Sequence, residues 1–218
     1  MVPETIQPIL AILKKEIKKL PVPFLGKIAD ETNNPYFVLI SCIISLRTKD
    51  KVTAEASERL FRLAASPREM VTRSADQIAK AIYPASFYRN KAKQILTLSQ
   101  TILDQHAGHV PETMDALLAL SGVGRKTANL VLTVAFKKPG ICVDTHVHRI
   151  SNRLGFIKTQ TPEESEQVLR ETLPKKYWIT YNDILVPYGQ FVCRPISPFC
   201  SQCKINIYCD KVGVLKSR

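Results

Sequence analysis

The 218 residues carry 31 Lys plus Arg against 19 Asp plus Glu, a formal net charge of +12, and 45% of them are hydrophobic. That apolar share is enough to bury a core and excludes a disordered or fibrous chain, while the charge favours a polyanionic partner, nucleic acid first, over a cationic or neutral one. A solvated basic surface that only keeps the protein in solution would give the same balance. No basic start followed by an apolar run opens the sequence, and no stretch reaches about 18 uninterrupted apolar residues, so a soluble, cytoplasmic protein without a membrane partner is expected.

Ile6, Ile9, Leu10, Leu13, Ile17 and Leu20 fall at helical spacing and predict an amphipathic helix over 5–20, with Lys14, Lys15, Lys18 and Lys19 toward solvent and Pro21 and Pro23 as its stop. Helical runs follow near 36–46, 51–65, 88–107 and 112–120. Ser66-Pro67-Arg68-Glu69, Ser74-Ala75-Asp76-Gln77 and Thr161-Pro162-Glu163-Glu164 each read as a capping box that opens a helix. Gly108 reads as a C-cap and Pro111-Glu112 as the next start. Sustained strand alternation is missing, so the fold class is all-α; no fixed-period repeat suggests a solenoid. Pro139-Gly140 is the clearest interior break.

Ser121-Gly122-Val123-Gly124 joins the runs 112–120 and 125–136 too tightly for an ordinary loop, which reads as a helix-hairpin-helix. Its glycines let backbone amides converge on an anion, and the start of the second helix, with Arg125, suits a phosphate bound without sequence readout. A tight helix corner packed by glycine is the alternative. Lys126 follows in the first turn. A free lysine has a pKa near 10.4 and needs desolvation or neighbouring cations to become a nucleophile, so partial burial is expected to activate it. The same position equally suits a solvated contact to phosphate. Ile141-Cys142-Val143 makes an apolar approach to Asp144-Thr145-His146, and a carboxylate there can accept a proton and stabilise positive charge developing on a sugar; it can also cap the helix that starts at Thr145.

Of six cysteines, Cys193, Cys200, Cys203 and Cys209 are separated by six, two and five residues. Four reduced thiolates so close together need a cation or a cluster, and the spacing suits structural zinc and a four-iron cluster alike. Arg194, Lys204 and Lys211 add positive charge to that loop, while Cys42 and Cys142 lie in apolar runs and read as core.

Leu120 to Asn129 (LSGVGRKTAN), Val143 to His146 with Arg149, and the cysteine spacing together resemble the endonuclease III family of helix-hairpin-helix DNA glycosylases over nearly the whole chain. The resemblance implies a six-helix barrel over about 28–137, with the hairpin at about 112–136, and a discontinuous second lobe from 1–27 and 138–218 that carries the iron-sulfur loop at 193–209. It implies that Lys126 is the Schiff-base nucleophile, that Asp144 is essential, that the two face each other across a cleft, and that the four cysteines hold a [4Fe-4S] cluster doing no redox chemistry on the substrate. The expected activity is excision of oxidised pyrimidines and cleavage of abasic sites in double-stranded DNA, by a monomer. Gly122, Val123, Gly124, Arg125 and His146 are then DNA-contacting. Loops at Ser45 to Asp50 and Ser86 to Tyr88 match those that fill the gap left by a flipped nucleotide. Members often carry glutamine and leucine where this chain has Arg47 and Phe87, so a wedge is expected from both without carrying over opposite-base preference; for Phe87, core packing is the other reading. A monofunctional mismatch glycosylase generally lacks the lysine, and its adenine-specific type usually adds a C-terminal domain, whereas this sequence runs nine residues past Cys209. A noncatalytic DNA-binding module would explain the charge, glycines and cysteines but not the pairing of Lys126 with Asp144.

Overall fold

The computed structural model describes residues 6–20, 28 and 31–218, and all regular secondary structure among them is helical. The chain divides into two compact units, Phe24–Lys138 and a discontinuous unit of Met1–Pro23 with Pro139–Arg218. The division falls beside Pro139-Gly140.

The first unit is built around α2 (Pro35–Ser45), in which eight of eleven residues are buried. A helix apolar on every side belongs in a core. Pro35 occupies its first turn and the Asn34 side chain accepts from the Tyr36 amide, which fixes the start. Packed on it are α3 (Asp50–Leu63) and α6 (Tyr88–His106). Tyr36 Oη and Ser99 Oγ lie 2.6 Å apart between α2 and α6, and burial raises the Tyr36 hydroxyl above its ordinary value. α4 (Pro67–Met70) and α5 (Ala75–Ile82) pack on α6. α7 (Met114–Leu118) and α8 (Arg125–Leu130) form the two arms of the hairpin, and α8 continues as a π-helical turn over Val131–Ala135.

In the second unit Ile6, Ile9, Leu10 and Leu13 of α1 (Ile6–Ile17) are buried, and α1 packs on α11 (Trp178–Phe191). α9 (Thr145–Arg153) packs on α11 and on α10 (Pro162–Thr172). Ile141, Val143, Tyr181 and Tyr188 share this core. Cys42 and Cys142 are buried, each in its own unit.

Several sequence expectations shift at element ends. α1 stops at Ile17, followed by a turn in which the Leu20 amide donates to Ile17 O, rather than running to residue 20; Pro21 and Pro23 lie outside the described residues. α7 starts at Met114 rather than at Pro111-Glu112, because the Thr113 hydroxyl supplies the cap by accepting from Ala116 N. At the end of α6 the left-handed residue is Ala107, not Gly108 alone, and both follow with positive φ. Only Ser74 and Gln77 complete a reciprocal capping box. Glu69 and Glu164 instead reach one residue further back, to the amides of Ala65 and Gln160, at two starts that both carry proline in the first turn. No sequence expectation covered α11: Pro187 inside it and burial on most sides mask helical periodicity.

Candidate active site and cysteine centre

The hairpin turns at Gly122, whose φ is +75°. A Cβ at this position would lie 2.1 Å from Gln94 Nε2, and that amide donates to Gly122 O at 3.0 Å. The positive φ calls for glycine, and a Cβ would also push the Gln94 amide off the Gly122 carbonyl. Gly124, with φ −90° and ψ 174°, stands before α8, and a Cβ there would meet nothing within 4 Å. Val123 between them is 5% exposed and anchors the turn in the core. The turn thus presents exposed backbone on a buried foot, with Arg125 exposed beside it.

Lys126 is the second residue of α8. The helix turns Thr127, Ala128 and Leu130 inward and leaves Lys126 exposed. The positive charge of Lys126 is felt at Cys42, whose thiol burial pushes up to about 12 while that charge pulls in the opposite direction.

Asp144 is the N-cap of α9, and its Oδ1 accepts from both His146 N and Val147 N at 2.9 Å. Capping occupies one oxygen of the side chain, and Oδ2 takes no hydrogen bond among the described residues. His146 is half-buried. Its ring stands over Gly189, where an added Cβ would come within 2.6 Å of Nδ1, and Arg149 Nη2 lies 3.1 Å from the same nitrogen. Arg149 also donates to Gly189 O at 3.0 Å and to Cys193 O at 2.8 Å, so one guanidinium joins α9 to the start of the cysteine loop. Burial lowers the Arg149 pKa, a cost that these acceptors offset.

Cys193, Cys200, Cys203 and Cys209 are free, partly buried, and line one small cavity with Tyr188 and Arg153. Tyr188 Oη donates to Cys203 Sγ at 3.2 Å, and Arg153 Nη1 lies 3.4 Å from Cys193 Sγ. Arg153 also donates to Arg194 O and Pro195 O at 2.7 Å, holding the first turn of the loop. Burial raises the thiols of Cys203 and Cys209, and neighbouring cysteines push them the same way, so thiolates here need a positive centre among them. A single tetrahedral ion draws sulfurs to about 2.3 Å from one point. No group of three or more His, Cys, Asp or Glu among the described residues is gathered closely enough to hold such an ion. The four sulfurs belong to residues that line one cavity. Arg194, Lys204 and Lys211 around the loop are exposed.

Arg47 and Phe87 both adopt the left-handed conformation, with φ of 55° and 57°. Phe87 is 60% exposed, which removes core packing as its role, and the Arg47 guanidinium lies 5.8 Å from its ring centroid. Sequence reasoning passed over the residues that hold these features. Lys91 lies in phase with Ile95, Leu98 and Ile102 on the buried stripe of α6, and a charge at a core position is the signal that marks it. Gln94 carries no such signal.

This architecture and hairpin define a helix-hairpin-helix DNA repair protein: residues 40–175 match the HhH-GPD superfamily base excision DNA repair protein family, and the chain belongs to that superfamily. Endonuclease III of Thermotoga maritima is 44% identical over 177 residues, covering 81% of this chain and 83% of that protein. The chloroplastic endonuclease III homolog 2 of Arabidopsis thaliana is 40% identical over 80% of this chain but only 47% of its own length. A solved structure of a trapped endonuclease III–DNA covalent intermediate, in an estranged-adenine complex, superposes with a TM-score of 0.86 at 31% identity, covering 97% of both chains. Among the described residues no helix is long and apolar enough to cross a membrane.

Proposed function

We propose that this protein is a bifunctional DNA glycosylase and abasic-site lyase of base excision repair that removes oxidised pyrimidines from duplex DNA. The observation that carries the reading is Lys126, exposed on the helix directly behind the Gly122–Gly124 turn, a position from which an amine can reach the sugar of a strand bound by its phosphate at the turn. The covalent DNA intermediate trapped in a relative of the same fold supports it.

The chemistry follows from the groups present. The turn amides and Arg125 bind a backbone phosphate, and the target nucleotide leaves the stack while Arg47 and Phe87 occupy its place. The neutral Lys126 amine forms a bond to C1′ as the glycosidic bond breaks and the base departs with its electrons. The amine then loses its proton, and C1′–O4′ breaks as O4′ takes up a proton, leaving the opened sugar as a protonated Schiff base. Loss of a C2′ proton expels the C3′ phosphate by β-elimination. Asp144 Oδ2 serves as the proton acceptor and offsets charge developing on the sugar, while Oδ1 stays bound to the cap amides. Since the chain leaves Lys126 exposed, desolvation comes from the bound DNA itself.

Cys193, Cys200, Cys203 and Cys209 are proposed to hold a [4Fe-4S] cluster that braces the loop and does no redox chemistry on the substrate. Four free thiols lining one cavity are the donor set that such a cluster would take, one ligand from each cysteine. The protein works as a soluble cytoplasmic monomer, which suits a lesion without dyad symmetry.

Borohydride reduction on a duplex containing an abasic site tests the reading. A covalent protein–DNA complex that is lost in Lys126→Gln is expected; unchanged trapping in that variant overturns Lys126 as nucleophile. Base release without strand cleavage would instead mark a monofunctional glycosylase, and neither product a noncatalytic binding module.

A further inference from the structure

Lys91 is 5% exposed in the first turn of α6, and its ammonium donates to Ile44 O at 2.7 Å, Leu46 O at 2.6 Å and Thr48 Oγ1 at 3.0 Å. All three N–H bonds are used, and no carboxylate among the described residues pairs with it. A buried cation without an anion is costly, and an apolar side chain of similar length would fill the same space at less expense. The acceptors explain its retention. Ile44 carries a carbonyl of the last turn of α2 and Leu46 is its C-cap, where a helix dipole favours a cation; Leu46 O also accepts from Thr48 Oγ1 at 3.3 Å.

Thr48 extends the link: its Oγ1 also accepts the amide of Ser86 at 3.1 Å. One ammonium and one hydroxyl thus join two loops separated by some forty residues. The linked atoms flank the exposed tips, since Arg47 lies between Leu46 and Thr48, and Phe87 follows Ser86. Both tips hold left-handed backbone, which costs a non-glycine residue on the order of 1 kcal/mol and persists only where surroundings impose it. We propose that Lys91 is the positioning residue that locks these two loops into a single wedge, so that Arg47 and Phe87 enter the base stack as one body rather than as two independent side chains. This rests on the reading of Arg47 and Phe87 as the residues that fill the gap of a flipped nucleotide.

The test compares wild type, Lys91→Met and Thr48→Val, each with its melting temperature recorded, on two substrates. One is a duplex with a single thymine glycol and a neighbouring 2-aminopurine, whose fluorescence reports unstacking; the other is a single-stranded oligonucleotide with an abasic site, which has no stack to fill. Lys91→Met is expected to lower single-turnover excision on the duplex about tenfold or more, equivalent to 1.4 kcal/mol, and to abolish most of the 2-aminopurine rise. Strand cleavage of the single strand should stay within about twofold, set by chemistry alone. Thr48→Val, which keeps both carbonyl bonds, should fall between them on the duplex and decides the matter if Lys91→Met does not fold. Wild-type values on the duplex for a folded Lys91→Met, or for Thr48→Val, overturn the proposal, as does an equal loss on both substrates. Wild type that shows no excision and no fluorescence change would instead overturn the underlying glycosylase reading.

Discussion

Gln94 reaches from the middle of α6 to donate to the carbonyl of Gly122 at 3.0 Å, so the hairpin turn is held by a side chain 28 residues away. The two glycines of the turn should then behave differently when given a methyl group. Gly122→Ala meets Gln94 at 2.1 Å and puts alanine at φ +75°, and is expected to lose about 1–3 kcal/mol of stability together with duplex affinity. Gly124→Ala meets nothing in the protein and should change stability by less than about 0.5 kcal/mol. Its methyl would stand where a phosphate approaches, so DNA affinity should fall about tenfold. Denaturant melts and fluorescence anisotropy with undamaged duplex separate the two cases.

The two oxygens of Asp144 have separable duties. Asp144→Asn keeps an acceptor for His146 N and Val147 N and should melt near wild type, whereas Asp144→Ala loses the cap and about 1 kcal/mol. Both should lose a factor of about 100 or more in single-turnover excision. An Asp144→Asn protein that excises normally would limit the residue to capping.

For the cysteine loop, Arg153→Met removes a buried side chain's hydrogen bonds to Arg194 O and Pro195 O, a loss of about 1–2 kcal/mol. Iron per chain, measured by colorimetric assay, should drop well below the wild-type value, and Cys200→Ser should lower it further. Full iron occupancy in Arg153→Met would show that the loop is held by other contacts.

Burial pushes the Lys91 ammonium down to about 8, below the value near 10.4 of an unfolded lysine. Between those values the unfolded chain binds more protons at this residue than the folded chain, so stability contributed here rises with pH across that window and is flat below pH 8. The slope is at most about 1.4 kcal/mol per pH unit. Wild-type stability minus that of Lys91→Met, from chemical melts at pH 7, 8, 9 and 10, should therefore grow with pH; a constant difference would refute the depressed value.

What could be read in the sequence was what neighbours write together. The Gly122–Lys126 turn, the cap at Asp144 and the cysteine spacing each fit within a short window, and the residue types of each narrow its chemistry to a few alternatives. The contacts that hold them are long-range: Gln94 on Gly122, Lys91 on Leu46, and Arg149 on Cys193 join residues tens of positions apart, where no local pattern records the pairing. Exposure was equally illegible. Phe87 and Lys126 both stand in solvent, and whether a side chain turns inward depends on which face its helix or loop buries. Helix α11 escaped notice because a segment buried on most sides offers no alternation to find.

The unit holding the hairpin is continuous in sequence, Phe24–Lys138, whereas the other is closed by α1 from one end of the chain and α11 from the other. During synthesis the continuous unit can therefore fold first, with its glycine turn and Lys126 in place, while Ile9 and Leu10 wait for residues 178–191 to emerge. A ribosome-bound fragment ending before residue 139 would carry the glycine turn and Lys126 but neither Asp144 nor the four cysteines, so the full set of these residues is present only when translation has delivered the last part of the chain.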